Sequence, residues 1–329
     1  MQNKIMVSVC CLAYNHEKYI RECLEGFVRQ KTNFQFEVLV HDDASTDKTA
    51  DIIREYEAKY PDIIKPVYQT KNQWSQKNGP FRCFLYPRVK GKYIAWCEGD
   101  DYWCDEHKLQ KQFDIMEANE DCCSCFHSSK IINENGEDLH QTIPAFKVKG
   151  KKYSSYDWLR LFMIKPRLVQ LSSMFVKTTV WDIYEKGIPE YFSTSPVGDR
   201  AIFMLCASKG NVFYIDQIMS AYRYCTSGSW SESFSKYTPE QKKSFRDRSI
   251  LCLKQFDEYT EYRYTDLVEL GIKDHPFREA LEKHDYKKVL AKEYRPLFRA
   301  LPVSHQIYYR FFGTFPFMEK LYRKMKDRH

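Results

Sequence analysis

The stretch Lys90-Gly-Lys-Tyr-Ile-Ala-Trp-Cys-Glu-Gly-Asp-Asp-Tyr-Trp103 decides the fold. Gly91 punctuates the chain, Lys92 to Cys97 reads as a short apolar strand, and that strand ends abruptly in Glu98, Gly99, Asp100 and Asp101. Acidic residues just past the carboxyl end of a strand lie where open α/β sheets bind ligands. The same pattern recurs upstream. Val7 to Leu12 is a β-branched and apolar strand leading into Ala13 to Asn15, and Phe36 to Val40 is a second, leading into Asp42, Asp43, Ser45, Thr46 and Asp47. Between them Tyr19, Ile20, Cys23, Leu24, Phe27 and Val28 recur at helical spacing with Asn15 as the expected cap, and Ile52, Ile53 and Tyr56 mark a further helix. This alternation predicts an α/β fold with a mainly parallel central sheet flanked by helices.

Downstream, Leu109, Phe113 and Met116 predict a helix, Cys122 to Phe126 a strand, Leu168 to Val176 a strand, Asp199 to Ser208 a helix and Val212 to Ile215 a strand. Lys130 to Pro166 shows no clear period. From Ser233 to His329 the pattern is mostly helical, with breaks expected at Gly271, Pro276, Pro296 and Pro302. The chain therefore divides into an α/β domain over 1–231 and a helical, basic C-terminal region over 232–329.

With 329 residues, 43% hydrophobic and 16% aromatic, the chain can bury a large core. Its 12 Gly and 13 Pro are few, and the absence of any repeat or polar low-complexity tract excludes solenoid and disordered classes. The net charge of +7 is unevenly placed, because Lys287 to His329 holds eleven Lys and Arg against Glu293, Glu319 and Asp327. Tyr308, Tyr309, Phe311, Phe312, Phe315, Phe317 and Tyr322 interleave with these cations. Two readings stand side by side: a surface that meets anionic lipid headgroups, or a solvated helical face with a packed aromatic side. The apolar stretch Ile5 to Ala13 is too short for an export signal, and no run approaches the ~20 residues of a membrane span. The expected location is cytoplasmic, with any membrane role peripheral on the inner face. The twelve cysteines sit largely in apolar runs, as reduced thiols do, and Cys122, Cys123, Cys125 and His127 lack zinc-ligand spacing. His16, His41 and His107 form no metal-binding spacing either.

Three acidic or polar clusters after three strands converge on one crevice, and such a crevice makes a nucleotide site. A sugar nucleotide needs partners for base and ribose and a cation for its diphosphate, because the departing phosphate gains charge as the glycosidic bond breaks. Asp100 and Asp101 are the natural ligand pair for Mn²⁺ or Mg²⁺, which keep positions free for phosphate and water. The plainer reading of Asp-Asp after a strand is a helix cap beside a turn acid. Transfer also needs a base for the acceptor hydroxyl, and Asp199 in Pro196-Val-Gly-Asp-Arg200 is the candidate, its plainer reading being an N-terminal helix acid. Gly99-Asp100-Asp101 also matches the metal-binding core of viral RNA polymerases, but those carry it on an antiparallel palm, so no nucleic-acid partner is expected.

The runs VSVCCLAYNHEKYIRECLEGFVRQ, VLVHDDASTDKT, KGKYIAWCEGDDYW and PVGDRAIFMLCASKG, in that order, resemble the family 2 glycosyltransferases of the GT-A fold, especially bacterial capsule and cell-surface polysaccharide enzymes. The resemblance covers roughly residues 4 to 232. It implies that Leu12, Tyr14 and Asp43 border the base, that Asp100 faces ribose or phosphate, that Asp101 is the metal ligand, and that Asp199 is the base of an inverting single displacement. It implies a nucleotide-sugar donor, often a UDP-sugar, and a saccharide or polyprenyl-diphosphate-linked acceptor. Ser220 to Trp230 resembles the family's acceptor and phosphate loop, where Arg223 would neutralise diphosphate oxygens. Two departures stand out: Cys225 where the family often has His, and Arg200 where an aromatic residue often follows the acid. A non-catalytic sugar-nucleotide-binding protein of the same fold is the alternative, and the joint presence of Asp43, Asp100, Asp101 and Asp199 argues against it.

Overall fold

The computed structural model describes residues 4–76, 79–165, 167–224, 230–315 and 317–318. Its strands are β1 (Ile5–Ala13), β2 (Gln35–Asp42), β3 (Ile64–Tyr68), β4 (Tyr93–Trp96), β5 (Tyr102–Trp103), β6 (Cys122–Ile132), β7 (Asp138–Ile143), β8 (Lys151–Tyr153), β9 (Phe175–Lys177) and β10 (Asn211–Arg223). Its α-helices are α1 (Ile20–Val28), α2 (Thr49–Lys59), α3 (Lys108–Ala118), α4 (Ser155–Ile164), α5 (Ile183–Lys186), α6 (Tyr191–Thr194), α7 (Gly198–Lys209), α8 (Trp230–Ser235), α9 (Pro239–Tyr259), α10 (Thr265–Glu282), α11 (Tyr286–Val289), α12 (Arg295–Arg299) and α13 (Val303–Thr314).

All ten strands join one sheet in the order β3-β2-β1-β4-β9-β6-β10-β5, with β7 added to β6 and β8 to β10. The half that holds the three predicted strand ends is parallel, β3 to β4. The other half is mixed, with β9 antiparallel to both β4 and β6, and β6 parallel to β10.

Side chains alternate between two cores because the strand period is two. Val7, Val9, Cys11 and Ala13 of β1, with Tyr93, Ala95 and Cys97 around β4, pack against α1, α2 and α3. Cys10, Ile94 and Trp96 point the other way, into a core shared with α4, α7, α9 and α10. Burial on both faces is why these strands read as near-continuous apolar runs. Gly91 sits where β1 and the approach to β4 touch: a Cβ there would lie 2.5 Å from the Ser8 backbone nitrogen and 2.7 Å from the Tyr93 carbonyl oxygen. The eleven described cysteines are free, nine of them buried.

Several expectations are corrected. Asn15 does not cap α1. That helix begins at Ile20 without a side-chain cap, while Asn15, at φ +55°, accepts a bond from the Thr46 backbone N–H at 2.8 Å. Leu168 to Val176 is not one strand: a short 3-10 turn over Leu171–Ser173 precedes the brief β9. Val212 to Ile215 is only the start of β10, which runs on to Arg223. The unread segment after Lys130 holds the end of β6, then β7, β8 and α4. Gly271 and Pro276 do not break the C-terminal region but lie inside α10. At Gly271 the missing side chain makes room, since a Cβ would meet Met163 Sδ at 2.7 Å and Leu253 Cδ1 at 3.2 Å.

Candidate active site

The crevice forms where β1, β2 and β4 end. Two backbone bonds bring those ends together: Asp43 N–H donates to the Ala13 carbonyl at 2.9 Å, and Gly99 N–H to the Leu12 carbonyl at 2.9 Å. The loops are then stitched by side chains, with Ser45 Oγ accepting from Asn15 N–H at 2.9 Å, Thr49 Oγ1 from His16 N–H at 2.7 Å, and Asp47 from Glu17 N–H at 3.0 Å. Polar residues after β2 thus serve the backbone first, as short polar side chains do in turns. Gly99 is pressed onto this floor: a Cβ would lie 2.8 Å from His16 Nδ1 and 3.1 Å from Ala13 Cβ.

Leu12 is half-buried against the core and Tyr14 stands 45% exposed at the rim. Asp43 is buried, and its carboxylate accepts the backbone N–H groups of Gln73 at 2.7 Å and Trp74 at 3.0 Å. It therefore hangs the loop after β3 on the end of β2. Asp42 beside it is also buried, and that burial raises its pKa.

The acids of the decisive stretch meet the acid of α7. Burial raises the pKa of Glu98 well above its usual range, and the charges of Asp199, Asp100 and Asp101 add to it in that order. Asp101 is likewise raised by burial and then by Asp100, against the opposing pull of the Arg223 backbone N–H, the Arg223 charge and a bond from Gln170. Burial pushes Asp199 up to about 6. It sits in the first turn of α7, whose N-cap position is Val197 with no side-chain cap, so Asp199 is not the helix cap. Three carboxyl groups with raised pKa, Glu98, Asp101 and Asp199, gathered around Asp100 are the electrostatic mark of a functional site.

Arg223, the last residue of β10, ties these parts together and is itself buried. Its backbone N–H donates to Asp101 Oδ1 at 2.9 Å and its Nε to the Asp100 carbonyl at 2.9 Å. Nη1 donates to the carbonyls of Asn133 and Glu134 at 3.3 and 3.2 Å, and Nη2 to Glu22 at 2.7 Å. The guanidinium also lies 4.5 Å from the centre of the Tyr19 ring. The expectation that Arg223 is held ready for diphosphate oxygens thus meets a guanidinium already engaged with protein groups. Arg200 points away as well, stacked 5.1 Å from the Phe162 ring with burial lowering its pKa. Cys225 and the rest of 225–229 lie outside the described residues.

Glu98, Gln170, Glu22 and Tyr19 are the residues that sequence reasoning left without a role here. Glu98 carried a signal, its place in the acid run; the other three carried none, since only folding brings them to Asp101 and Arg223. For a divalent cation the donor chemistry fits: hard carboxylate oxygens, with the Asp100 side chain accepting no hydrogen bond among the described residues and Asp101 keeping acceptor capacity beyond the Arg223 amide. Among those residues no set of three or more His, Cys, Asp and Glu forms a metal cage by itself. A cavity of about 680 Å³ lined by Ser128, Thr142, Phe146, Tyr214 and Asp216 among others lies elsewhere, and none of the four acids borders it.

The family model described as Glycosyl transferase family 2 matches residues 8–184. An uncharacterized protein of Mycobacterium tuberculosis is 32% identical over 240 residues, which cover 72% of this chain and 63% of that protein's own length. A poly(ribitol-phosphate) beta-glucosyltransferase of Bacillus spizizenii is 34% identical over 175 residues, 53% of this chain and 26% of that one. In overall shape the chain is similar to the crystal structure of S. aureus TarS 1-349 in complex with UDP-GlcNAc, with a TM-score of 0.60, 17% identity, and coverage of 90% of this chain and 80% of that one.

Proposed function

The chain belongs to glycosyl transferase family 2, and on that premise we propose that it moves a sugar from a nucleotide diphosphate donor, a UDP-sugar, onto a saccharide or polyprenyl-diphosphate-linked acceptor in surface polysaccharide synthesis. One observation carries this reading: Glu98, Asp100 and Asp101 at the end of β4 share an electrostatic cluster with Asp199 on α7, and the Asp199 carboxyl is tuned to about 6. The printed names of the similar proteins support it, since one is a glucosyltransferase and another was crystallised with UDP-GlcNAc.

In this reading Leu12 and Tyr14 border the base. Asp43 fixes the loop over 72–74 and shares its carboxylate with the base edge, as an oxygen with two lone pairs can. Asp101, with Asp100, would hold Mn²⁺ or Mg²⁺. When bound, the cation supplies charge stabilisation to the departing diphosphate. Arg223 keeps Asp100 and Asp101 in place through their backbone and carboxylate groups. Asp199, mostly ionised at neutral pH, takes the proton of the acceptor hydroxyl as its oxygen attacks the anomeric carbon opposite the leaving diphosphate, so the configuration inverts. Catalysis belongs to residues up to about 231, and the basic region from 232 places the enzyme at the inner face of the membrane.

Calorimetric titration with UDP, GDP, CDP and dTDP, with and without Mn²⁺, tests the reading. The expected result is metal-dependent binding of UDP that Asp101→Ala abolishes. Absence of binding for every nucleotide under every metal condition would bring forward the non-catalytic alternative.

A further inference from the structure

Helix α13 is apolar on two opposite faces. A surface helix of a water-soluble protein puts its apolar stripe inward and polar side chains outward. In α13 the inward face is apolar, with Tyr309 and Phe312 buried and Tyr309 Oη donating to the Leu281 carbonyl at 2.8 Å. Gly313 lets the helix press close, because a Cβ there would lie 2.6 Å from Leu290 Cδ1. The outward face is apolar too. Val303, Ile307 and Phe311 recur every fourth residue on it, 70%, 63% and 43% exposed, and Phe315, Phe317 and Met318 extend the ridge. The rings run on in contact, Phe311 to Phe315 at 5.5 Å and Phe315 to Phe317 at 6.4 Å. A contiguous exposed apolar ridge marks an interaction site.

Charge identifies the occupant. Between Lys287 and Met318 the chain carries six Lys and Arg and a single acid, Glu293. Lys287, Lys292, Arg295, Arg299 and Arg310 are exposed and form no ion pair among the described residues. Arg310 flanks the ridge, exposed, with its guanidinium 5.5 Å from the centre of the Phe298 ring, and its long side chain can reach a headgroup while its stem lies along apolar groups. A second copy of this chain would bring the same cations against each other. An anionic bilayer meets both features at once.

We propose that the ridge Val303-Ile307-Phe311-Phe315-Phe317-Met318 inserts into the acyl boundary of a phospholipid monolayer, with the surrounding Lys and Arg held by anionic headgroups. This deepens the reading of a membrane-linked acceptor and rests on it only for its biological purpose. No described helix is long and apolar enough to cross a membrane, so the contact is interfacial.

Vesicle flotation of the full chain tests it without any nucleotide, so its failure is separate from failure of the glycosyltransferase reading. Vesicles of phosphatidylglycerol and phosphatidylcholine should carry the protein upward, and pure phosphatidylcholine vesicles or about 0.5 M salt should weaken partitioning severalfold. Ile307→Ser with Phe311→Ser and Phe315→Ser should lower partitioning by at least about tenfold while the thermal midpoint stays within a few degrees. No flotation of the parent chain with anionic vesicles overturns the proposal. So does unchanged flotation of the triple variant, or a dimer in sedimentation equilibrium that the triple variant dissociates while vesicles are ignored.

Discussion

At the scale of single residues, the site is a balance between stability and reactivity. The folded pKa of Asp199 lies near 6, above its ordinary carboxylate value of 3.8, because burial disfavours the charged form. A raised folded pKa means that the native state binds more protons, so stability falls as pH rises from about 4 to 6 and then levels. Glu98, also raised by burial and by the neighbouring acids, adds to the fall in the same direction. Without metal or nucleotide, the thermal midpoint should therefore be higher at pH 5 than at pH 7.5, and a scan showing the reverse would contradict the cluster. Asp199→Asn should raise that midpoint at pH 7, the equivalent of about 1–3 kcal/mol. The same variant should lower kcat by about 10² to 10⁴, with donor affinity little changed. For the parent enzyme, kcat should rise with pH around a midpoint near 6, as a base that must be ionised requires. Arg223→Lys keeps the charge but loses the planar fork that spans Asp100, Asn133, Glu134 and Glu22. It should weaken donor binding and destabilise by about 1–3 kcal/mol, read by calorimetry and denaturant unfolding.

At the scale of elements, close approaches set what the loops can do. Gly91→Ala places a methyl group inside the backbone of β1, where no rotamer can relieve it, and should cost about 2–4 kcal/mol in urea unfolding. Gly99→Ala meets His16 and Ala13 side chains, which can give way by moving the acid loop. Its effect should fall on donor affinity more than on stability, and equal loss of both would show that the loop is not independently adjustable. The C-terminal helix signals teach the same lesson from the other side. Gly271 and Pro276 are helix-breaking by propensity, yet α10 runs through both and buries Leu267, Val268, Phe277 and Ala280. Burying those side chains outweighs a weakened hydrogen-bond ladder.

At the scale of the whole molecule, division of labour and division of core do not coincide. The acids of the crevice all lie before residue 231, yet Cys252, Leu253 and Phe256 of α9 and Leu267 and Val268 of α10 pack into the core that contains Trp158, Phe203 and Trp181. A chain ending at Ser231 should therefore be aggregation-prone and bind a hydrophobic dye, while removal of α13 should leave the sheet's two cores intact. Circular dichroism and dye binding on the two truncations distinguish this from an autonomous domain. The apolar cluster of Phe277, Val289, Leu297, Phe298 and Tyr309 is separate from the sheet and gives α13 its seat.

The sequence alone determined the alternation of strand and helix, the three strand ends and their acids, because period, punctuation and charge are local properties of the chain. It also pointed to Asp199 at the start of α7, since an acid before an apolar helix is visible in one dimension. Only the tertiary structure decided that Asp43 holds the Gln73 and Trp74 amides, that Arg223 is engaged by Glu22 and three carbonyls, and that Glu98 shares its field with Asp199. Each of those pairings joins residues from 30 to about 200 positions apart, and no periodic pattern encodes which donor will meet which acceptor. The outward apolar face of α13 was hidden for a related reason: a helix apolar on both sides looks in sequence like one buried between neighbours, and only the fold shows which side has none among the described residues.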